Sequence, residues 1–335
     1  MTPKRRSTGE VQQGVLLMAH GTPANRDDIE RFYSSILGGR TPAPEHLTEL
    51  VRRYDMIGGL SPMARGTEQQ RAGLQSALDA VEPGQWRVWL GTKHASPSIE
   101  EAAAGLALSG TRTGVAMVLA PQYSALSVGA YLERAATAFS SEDRAVKLVP
   151  VRSWHDSSGL AGLFARRLRR CTSTMHHRTG VEPEIVFSAH SLPRSIEAKG
   201  DPYPDQVRDT ARRVATLAGI DRYHVAFQSA GKRGGDWLEP DLSSVIRDLA
   251  DDRVAGIVVC PIGFVSDHLE VLYDIDIEAR SLATSLNIKL SRTRSLNADP
   301  SFMAILAAVV IQAAEGAEGI PQNDLLGGTT ASRST

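Results

Sequence analysis

Two stretches far apart in the chain follow one pattern, and it limits the fold more than any other feature. "VLLMAHGTP" (Val15–Pro23) and "IVFSAHSLP" (Ile185–Pro193) each begin as an apolar run that reads as a buried strand. Each then breaks at Ala-His and turns through small residues into a proline. An uninterrupted apolar strand has to be covered on both faces, which is the habit of a parallel sheet under helices. The rest of the chain agrees. "GVLLMAH" is followed by "DDIERFYSSIL", "WRVWLGT" by "SIEEAAAGLAL" and "GVAMVLAP" by "SVGAYLERAATAF", and "VKLVPV" closes the first half. After a linking helix near "GLAGLFARRLRRC" the alternation resumes. "EIVFSAH" leads to "DQVRDTARRVATLA", "YHVAFQS" to "DLSSVIRDLA" and "VAGIVVCP" to "HLEVLYDIDIEARSLA". A last short run, "NIKLSRT", precedes a helix at "PSFMAILAAVVIQAA". Val-, Ile- and Leu-rich strands alternating with amphipathic helices indicate α/β architecture with parallel sheets.

The halves echo each other a second time. "VLAPQYS" (Val118–Ser124) and "VVCPIGF" (Val258–Phe264) hold equivalent places, each a buried strand ending in small residue-Pro. The sequence therefore predicts two Rossmann-like domains from a duplication, residues 11–150 and 151–292, with a ligand cleft between them. A length of 335 residues suits two domains. The tail, 316–335, is rich in Gly, Thr and Ser and is expected to be disordered. Ligands of open parallel sheets bind outside the carboxyl ends of the strands. His20, Pro121, His190 and Pro261 should therefore border one cleft, with a histidine on each wall.

Composition excludes several classes. A net charge of −1 argues against nucleic acid as partner, which needs a basic stripe. No apolar run approaches a membrane span, and no apolar segment precedes the first strand as a secretory signal would require. Two cysteines, Cys171 and Cys260, cannot build a disulfide framework or ligate an iron–sulfur cluster. A cytoplasmic location is the expectation. No G-x-G-x-x-G follows the first strand, "GKRGG" lacks phosphate-loop spacing, and no G-x-S-x-G, C-x-x-C or H-E-x-x-H occurs.

What remains is acidic. In "GFVSDHLEVLYDIDIEAR", Glu270, Asp274 and Glu278 stand at i, i+4 and i+8, so a helix stacks three carboxylates on one face. Like charges so placed repel, and the row is tolerated where cations visit it or protons are shared along it. Set beside this row, His190 becomes a candidate general base or divalent-metal ligand. Imidazole with carboxylate suits Fe²⁺, Co²⁺ or Zn²⁺ better than Mg²⁺. His20 has the same geometry on the other wall, and His94 in "GTKHASP" ends a third strand. Arg53, Tyr54 and Ser61, around the Gly-Gly turn of "RRYDMIGGLSPM", are candidates for an anionic ligand. Tyr123, Tyr131 and Trp237 are candidates for a flat aromatic pocket or plain core.

"FSAHSLP…GDPYPDQ" (Phe187–Gln206), "PIGFVSDHLEVLYDIDIE" (Pro261–Glu278), "YDMIGGLSP" and "MAHGTP" resemble the ferrochelatases, which insert Fe²⁺ into a porphyrin. The resemblance runs from Val15 to Ala314 and is nearest the Gram-positive-type branch, whose substrate is coproporphyrin III and product iron coproporphyrin III. It implies two chelatase-like domains around a porphyrin cleft, the C-terminal helix (298–315) returning to complete the first domain. It implies that His190 and Glu270 bind iron and handle the pyrrole protons, with Asp274 and Glu278 continuing a metal or proton path. Arg53, Tyr54, Ser61 and Tyr131 fall at the family's porphyrin-contact positions, and His20 and Trp237 join them as cleft residues. It further implies no permanently bound cofactor, a largely monomeric enzyme, and transient contact with neighbouring haem-pathway enzymes. Two residues depart from the pattern: His20 replaces a tyrosine facing the porphyrin metal, and Leu37 replaces a basic contact. The competing readings are a protoporphyrin IX ferrochelatase, another tetrapyrrole metal chelatase, and a non-catalytic haem or coprohaem carrier with His20 as axial ligand.

Overall fold

The computed structural model describes residues 13–140, 146–231 and 236–318, so the expected tail falls largely outside the described residues. The first half runs β1 (Gln13–Ala19), α1 (Ile29–Ile36), α2 (Pro44–Met56), α3 (Met63–Val81), β2 (Trp86–Thr92), α4 (Ile99–Leu108), β3 (Thr113–Val118), α5 (Ala130–Ser140) and β4 (Lys147–Val151). α6 (Leu160–Thr179) crosses to the second half. There follow β5 (Glu184–His190), α7 (Ser195–Ala198), α8 (Tyr203–Ala218), β6 (His224–Gln228), α9 (Leu242–Asp251), β7 (Gly256–Pro261), α10 (Arg280–Ser285) and β8 (Lys289–Arg292). α11 (Pro300–Gly316) closes the described chain and packs on α3, β3, β4 and α6.

The two sheets share one design. Among the described residues the first has strand order β2-β1-β3-β4 and the second β6-β5-β7-β8, every pairing parallel. Replacing each strand of the first by its counterpart four places later gives the second, as a duplication predicts. The apolar strands are buried throughout: Val15 to Met18 and Val186 to Phe187 are sealed from solvent. One apolar cluster runs through both halves, joining Val15 and Leu17 of β1 to Phe187 of β5 and Phe302 of α11. Trp154, between β4 and α6, fills this junction and donates its indole N–H to the Val118 carbonyl at 3.0 Å.

One element differs from the expected α-helix. Residues Val271–Ala279 form a π-helix, as do Ala125–Gly129 at the equivalent place in the first half. A π-helix closes i→i+5 bonds and widens each turn, and such segments recur at functional sites. The i, i+4, i+8 spacing fits either helix, so the acidic row stays on one face.

The loop leading into that π-helix is held by a compact ion network. Arg292 at the end of β8 contacts Asp267 and Asp276, each at 2.9 Å. Asn297 accepts the Asp267 backbone N–H at 2.9 Å and donates to its carboxylate at 2.9 Å. Removing one partner of a largely buried pair leaves uncompensated charge. Arg292→Ala is therefore expected to lose about 3–5 kcal/mol of stability, read from chemical denaturation. Loss of less than about 1 kcal/mol, the range of an exposed ion pair, would show that the network is not what holds this loop.

Candidate active site

In each sheet the chain leaves the central strand on one side and returns on the other, which opens a crevice at the strands' carboxyl ends. The crevices lie between β1 and β3 and between β5 and β7. His20 follows β1 directly and His190 ends β5, so both strand-end histidines stand where the topology places ligands. Two glycines make these turns possible. Gly21 has φ +87°, and a Cβ there would meet the Ala95 Cβ at 2.9 Å. A Cβ on Gly263 would sit 2.7 Å from that of Ala189, so only glycine lets the loop after β7 lie against the end of β5.

Between the halves lies a cleft of about 650 Å³, within the range for small-molecule sites. His20, Arg53, Tyr54, Ser61, Leu37 and Met63 line it from the first half. Glu270, Asp274, Glu278, Trp237, His268 and Ser229 line it from the second. Among the sequence candidates, His190, His94, Tyr123 and Tyr131 do not; Tyr131 is buried in the first-half core with the Lys93 ammonium 5.0 Å from its ring. His190 lies behind the lining, in contact with Glu270, which does line the cleft.

His190 and Glu270 form the chemical centre. His190 Nδ1–H donates to the Ser191 carbonyl, which turns Nε2 toward Glu270 Oε1 at 3.5 Å. The other carboxylate oxygen lies 3.6 Å from His268 Nε2, so Glu270 is held between two imidazoles. The Tyr203 hydroxyl donates to the His190 carbonyl at 2.9 Å. Burial works against a charge on His190, but the Glu270 carboxylate outweighs it and raises the pKa to about 9. Burial likewise opposes the Glu270 charge, and His190 outweighs it, holding the carboxyl well below its usual range. At neutral pH the pair is imidazolium and carboxylate. The ordinary imidazole value near 6.5 is displaced by the Glu270 carboxylate beside it.

Asp274 behaves differently. Burial first, then the Glu270 charge, raise its pKa to about 6. The Ser229 hydroxyl donates to one of its oxygens. Arg53 reaches across the cleft from α2, with nitrogens 3.4 Å from Asp274, 3.9 Å from Glu278 and 3.1 Å from Glu49. Its guanidinium also lies 4.6 Å from the Tyr273 ring. Repulsion along the acidic row is thus offset by a cation from the other half, engaged within the protein. Asp274 is 9% exposed and Glu278 51%, so the row leads from the inner wall to solvent.

His20 faces this wall from the other half. Its Nδ1 lies 3.3 Å from the Gly21 carbonyl, which leaves the lone pair on Nε2. Burial pushes its pKa below the usual value, so the ring is neutral at pH 7. Phe32 and His94 pack against it, with ring centres at 5.8 and 4.8 Å. His94 is pushed down to about 3 by burial and by His20, and its Nδ1 lies 3.0 Å from the Ser35 hydroxyl. Among the described residues no three His, Cys, Asp or Glu side chains converge as a set that would hold an ion. Sequence reading gave no role to His268, although "SDHLE" places it two residues before Glu270. Ser229 and Glu49 it missed, since their roles arise only when the halves meet.

The shifted values make stability depend on pH. A raised histidine pKa contributes stability in full below pH 6.5 and loses it as pH climbs through 9. Asp274, raised from 3.8 to about 6, destabilises increasingly as pH rises through that interval. His20 and His94, whose pKa values are lowered, add stability as pH rises toward about 7. The melting temperature of the ligand-free protein is therefore expected to fall between about pH 7.5 and 9.5, and Glu270→Gln to flatten that fall. Scanning calorimetry across this range is the measurement; a rise toward pH 9 would contradict the pairing.

Comparison with known proteins gives the chain a family. The ferrochelatase family profile matches residues 12–314. The coproporphyrin III ferrochelatase of Geobacillus kaustophilus is 40% identical over 301 residues, covering 89% of this chain and 95% of that protein. That of Bacillus subtilis is 38% identical, covering 90% and 97%. The ferrochelatase of Herpetosiphon aurantiacus is 36% identical, covering 90% and 98%. Among solved structures, the sirohydrochlorin chelatase SirB from Bacillus subtilis subspecies spizizenii, in complex with cobalt, superposes with a TM-score of 0.56 at 13% identity. The match covers 92% of this chain and 98% of that one, and it shows a shared two-sheet chelatase fold. By the profile match over nearly its whole described length, the chain belongs to the ferrochelatase family.

Proposed function

We propose that this chain inserts Fe²⁺ into coproporphyrin III, giving iron coproporphyrin III in haem synthesis. The observation that carries the reading is one cleft of about 650 Å³ lined by His20 from the first half and by Glu270, paired with His190, from the second. The relatives named for coproporphyrin III, at about 40% identity over nearly the whole chain, supply the substrate.

A porphyrin presents two inward N–H groups and a rigid plane, so insertion requires bending it, removing two protons and stripping water from iron. Binding energy on the macrocycle's rim supports the distortion. His190 Nε2 and Glu270 are the groups that replace water on Fe²⁺. Metal ligation needs a neutral imidazole, so iron arriving at His190 expels its proton. Asp274, with a pKa near 6, is mostly ionised at pH 7.5 and accepts protons from the inner wall. Glu278, half exposed, passes them to water. In this reading iron is a substrate, no cofactor or iron–sulfur cluster is retained, and the enzyme acts as a cytoplasmic monomer. Handover to neighbouring haem-pathway enzymes belongs to the same reading. Among the described residues no helix is long and apolar enough to cross a membrane.

The test is anaerobic Fe²⁺ insertion into coproporphyrin III and protoporphyrin IX side by side. Coproporphyrin carries two extra carboxylates, and a hydrogen bond to a charged group contributes about 1.5–3 kcal/mol. Roughly tenfold or greater preference for coproporphyrin is therefore expected in kcat/KM. Equal turnover would make it a protoporphyrin IX enzyme. Tight binding of iron coproporphyrin without turnover would favour the carrier, a reading to which the neutral His20 imidazole lends itself.

A further inference from the structure

The motif "GDPYPDQ" (Gly200–Gln206) lies outside the cleft lining, yet three of its side chains bind the parts that the chemistry needs held apart at a fixed distance. Asp201 Oδ2 accepts the Ser124 hydroxyl at 2.9 Å and the Ala125 backbone N–H at 2.8 Å, both from the first half. These two residues begin the π-helix Ala125–Gly129. Asp201 Oδ1 accepts the Tyr203 N–H at 3.0 Å, and the Tyr203 hydroxyl donates to the carbonyl of His190. Gln206 Oε1 accepts the Tyr123 N–H at 2.7 Å and the Ser153 hydroxyl at 2.9 Å. Gln122, in the same first-half loop, donates to Thr210 of α8 at 3.2 Å and to the Ile262 carbonyl at 3.3 Å. Loop 121–125 leaves β3, the strand beside β1 and His20. The motif therefore links the loop next to one histidine wall with the backbone of the other.

We infer that Asp201 is a positioning residue for the insertion reaction: through Tyr203 and loop 121–125 it fixes the separation of the His190 wall from the His20 wall. This rests on the proposed insertion activity. A flat ligand that must be bent requires walls at a set spacing, and misplacement by about 1 Å can lower a rate about a hundredfold. Asp201 touches neither iron nor porphyrin. Its loss should lower the rate of the bent step and leave macrocycle binding in place.

The experiment compares wild type, Asp201→Ala, Asp201→Asn and Ser124→Ala. Three quantities are read: anaerobic Fe²⁺ insertion into coproporphyrin III, coproporphyrin III affinity by fluorescence quenching, and amide hydrogen exchange. Asp201→Ala is expected to lower kcat roughly 10- to 100-fold with porphyrin affinity nearly unchanged. Asparagine keeps an oxygen for Ser124 and Ala125 but turns its amide nitrogen toward the Tyr203 N–H, so it should recover part of kcat. Ser124→Ala, which removes one donor and spares the fold, should fall between. Exchange should quicken in Asp201→Ala both at 121–129 and at 190–203. The proposal is overturned if kcat in Asp201→Ala is unchanged, if affinity falls in step with kcat, or if asparagine is no better than alanine. Exchange that quickens only beside residue 201 overturns it as well. Should wild type insert no iron, the activity reading fails, and the exchange pattern alone decides the link between the walls.

Discussion

His190→Ala is expected to reduce iron insertion by roughly 10³-fold or more, combining lost metal ligation with lost proton handling. The reasoning follows from position. His190 presents a ring nitrogen to Glu270 at 3.5 Å while its other nitrogen is fixed on the Ser191 carbonyl, and Glu270 in turn raises its pKa to about 9. Alanine removes a ligand for incoming Fe²⁺ and leaves Glu270 with only His268 beside it. The cleft residues Tyr54, Ser61 and Trp237 are untouched. Coproporphyrin III should therefore still quench and bind with wild-type affinity while anaerobic insertion stops. Insertion within tenfold of wild type would remove His190 from the chemistry and shift attention to His268 or His20.

Glu270→Gln should act almost as strongly and by a different route. The amide keeps the shape and removes the charge that raises His190 to about 9. Burial then dominates and the imidazole titrates below 6.5. The same substitution takes away one of the influences that raise Asp274, so that carboxyl falls from about 6. Iron meets a neutral histidine without an anionic partner, and the proton path loses its first member. A loss of about 10²–10⁴-fold in kcat is expected, with the His190 ring protons shifting their NMR titration to lower pH. Full activity with an unshifted titration would show that another group sets the state of His190.

Much of this was legible in the sequence, for identifiable reasons. Strands sealed on both faces leave an unbroken apolar run, so β1, β3, β5 and β7 could be read directly, with Ala-His marking the carboxyl ends of β1 and β5 and a small residue before proline those of β3 and β7. Spacing gave the acidic row, because four-residue steps keep a face in either an α- or a π-helix. The helix type was hidden by that same tolerance. No helix was expected over Met63–Val81, since its buried face starts with Thr67 and Gln70 before Leu74 and Leu78. Gln70 is sealed because it bonds the Asn297 carbonyl and Ser266, partners more than 190 residues away. Arg53 was read as free for an anionic ligand, whereas folding brings Asp274 and Glu278 to it. Tyr131 carries no mark that separates a core aromatic from a cleft one. Pairings made across the halves, and the pKa values they set, belong to the assembled molecule.

The repeated strand order has a consequence for how two like residues come to differ. Two identical half-chains associating about a twofold axis would have to place both strand-end imidazoles in equal surroundings, since a symmetric interface repeats every environment. Here the repeats are covalently joined and their sequences have parted. One imidazole sits beside an anion and holds its proton past neutrality, while the other lies among Phe32 and His94 and gives its proton up early. A ligand entering between them meets an acid on one side and a lone pair on the other. The cleft thus has a direction, which a symmetric pair of halves could never supply.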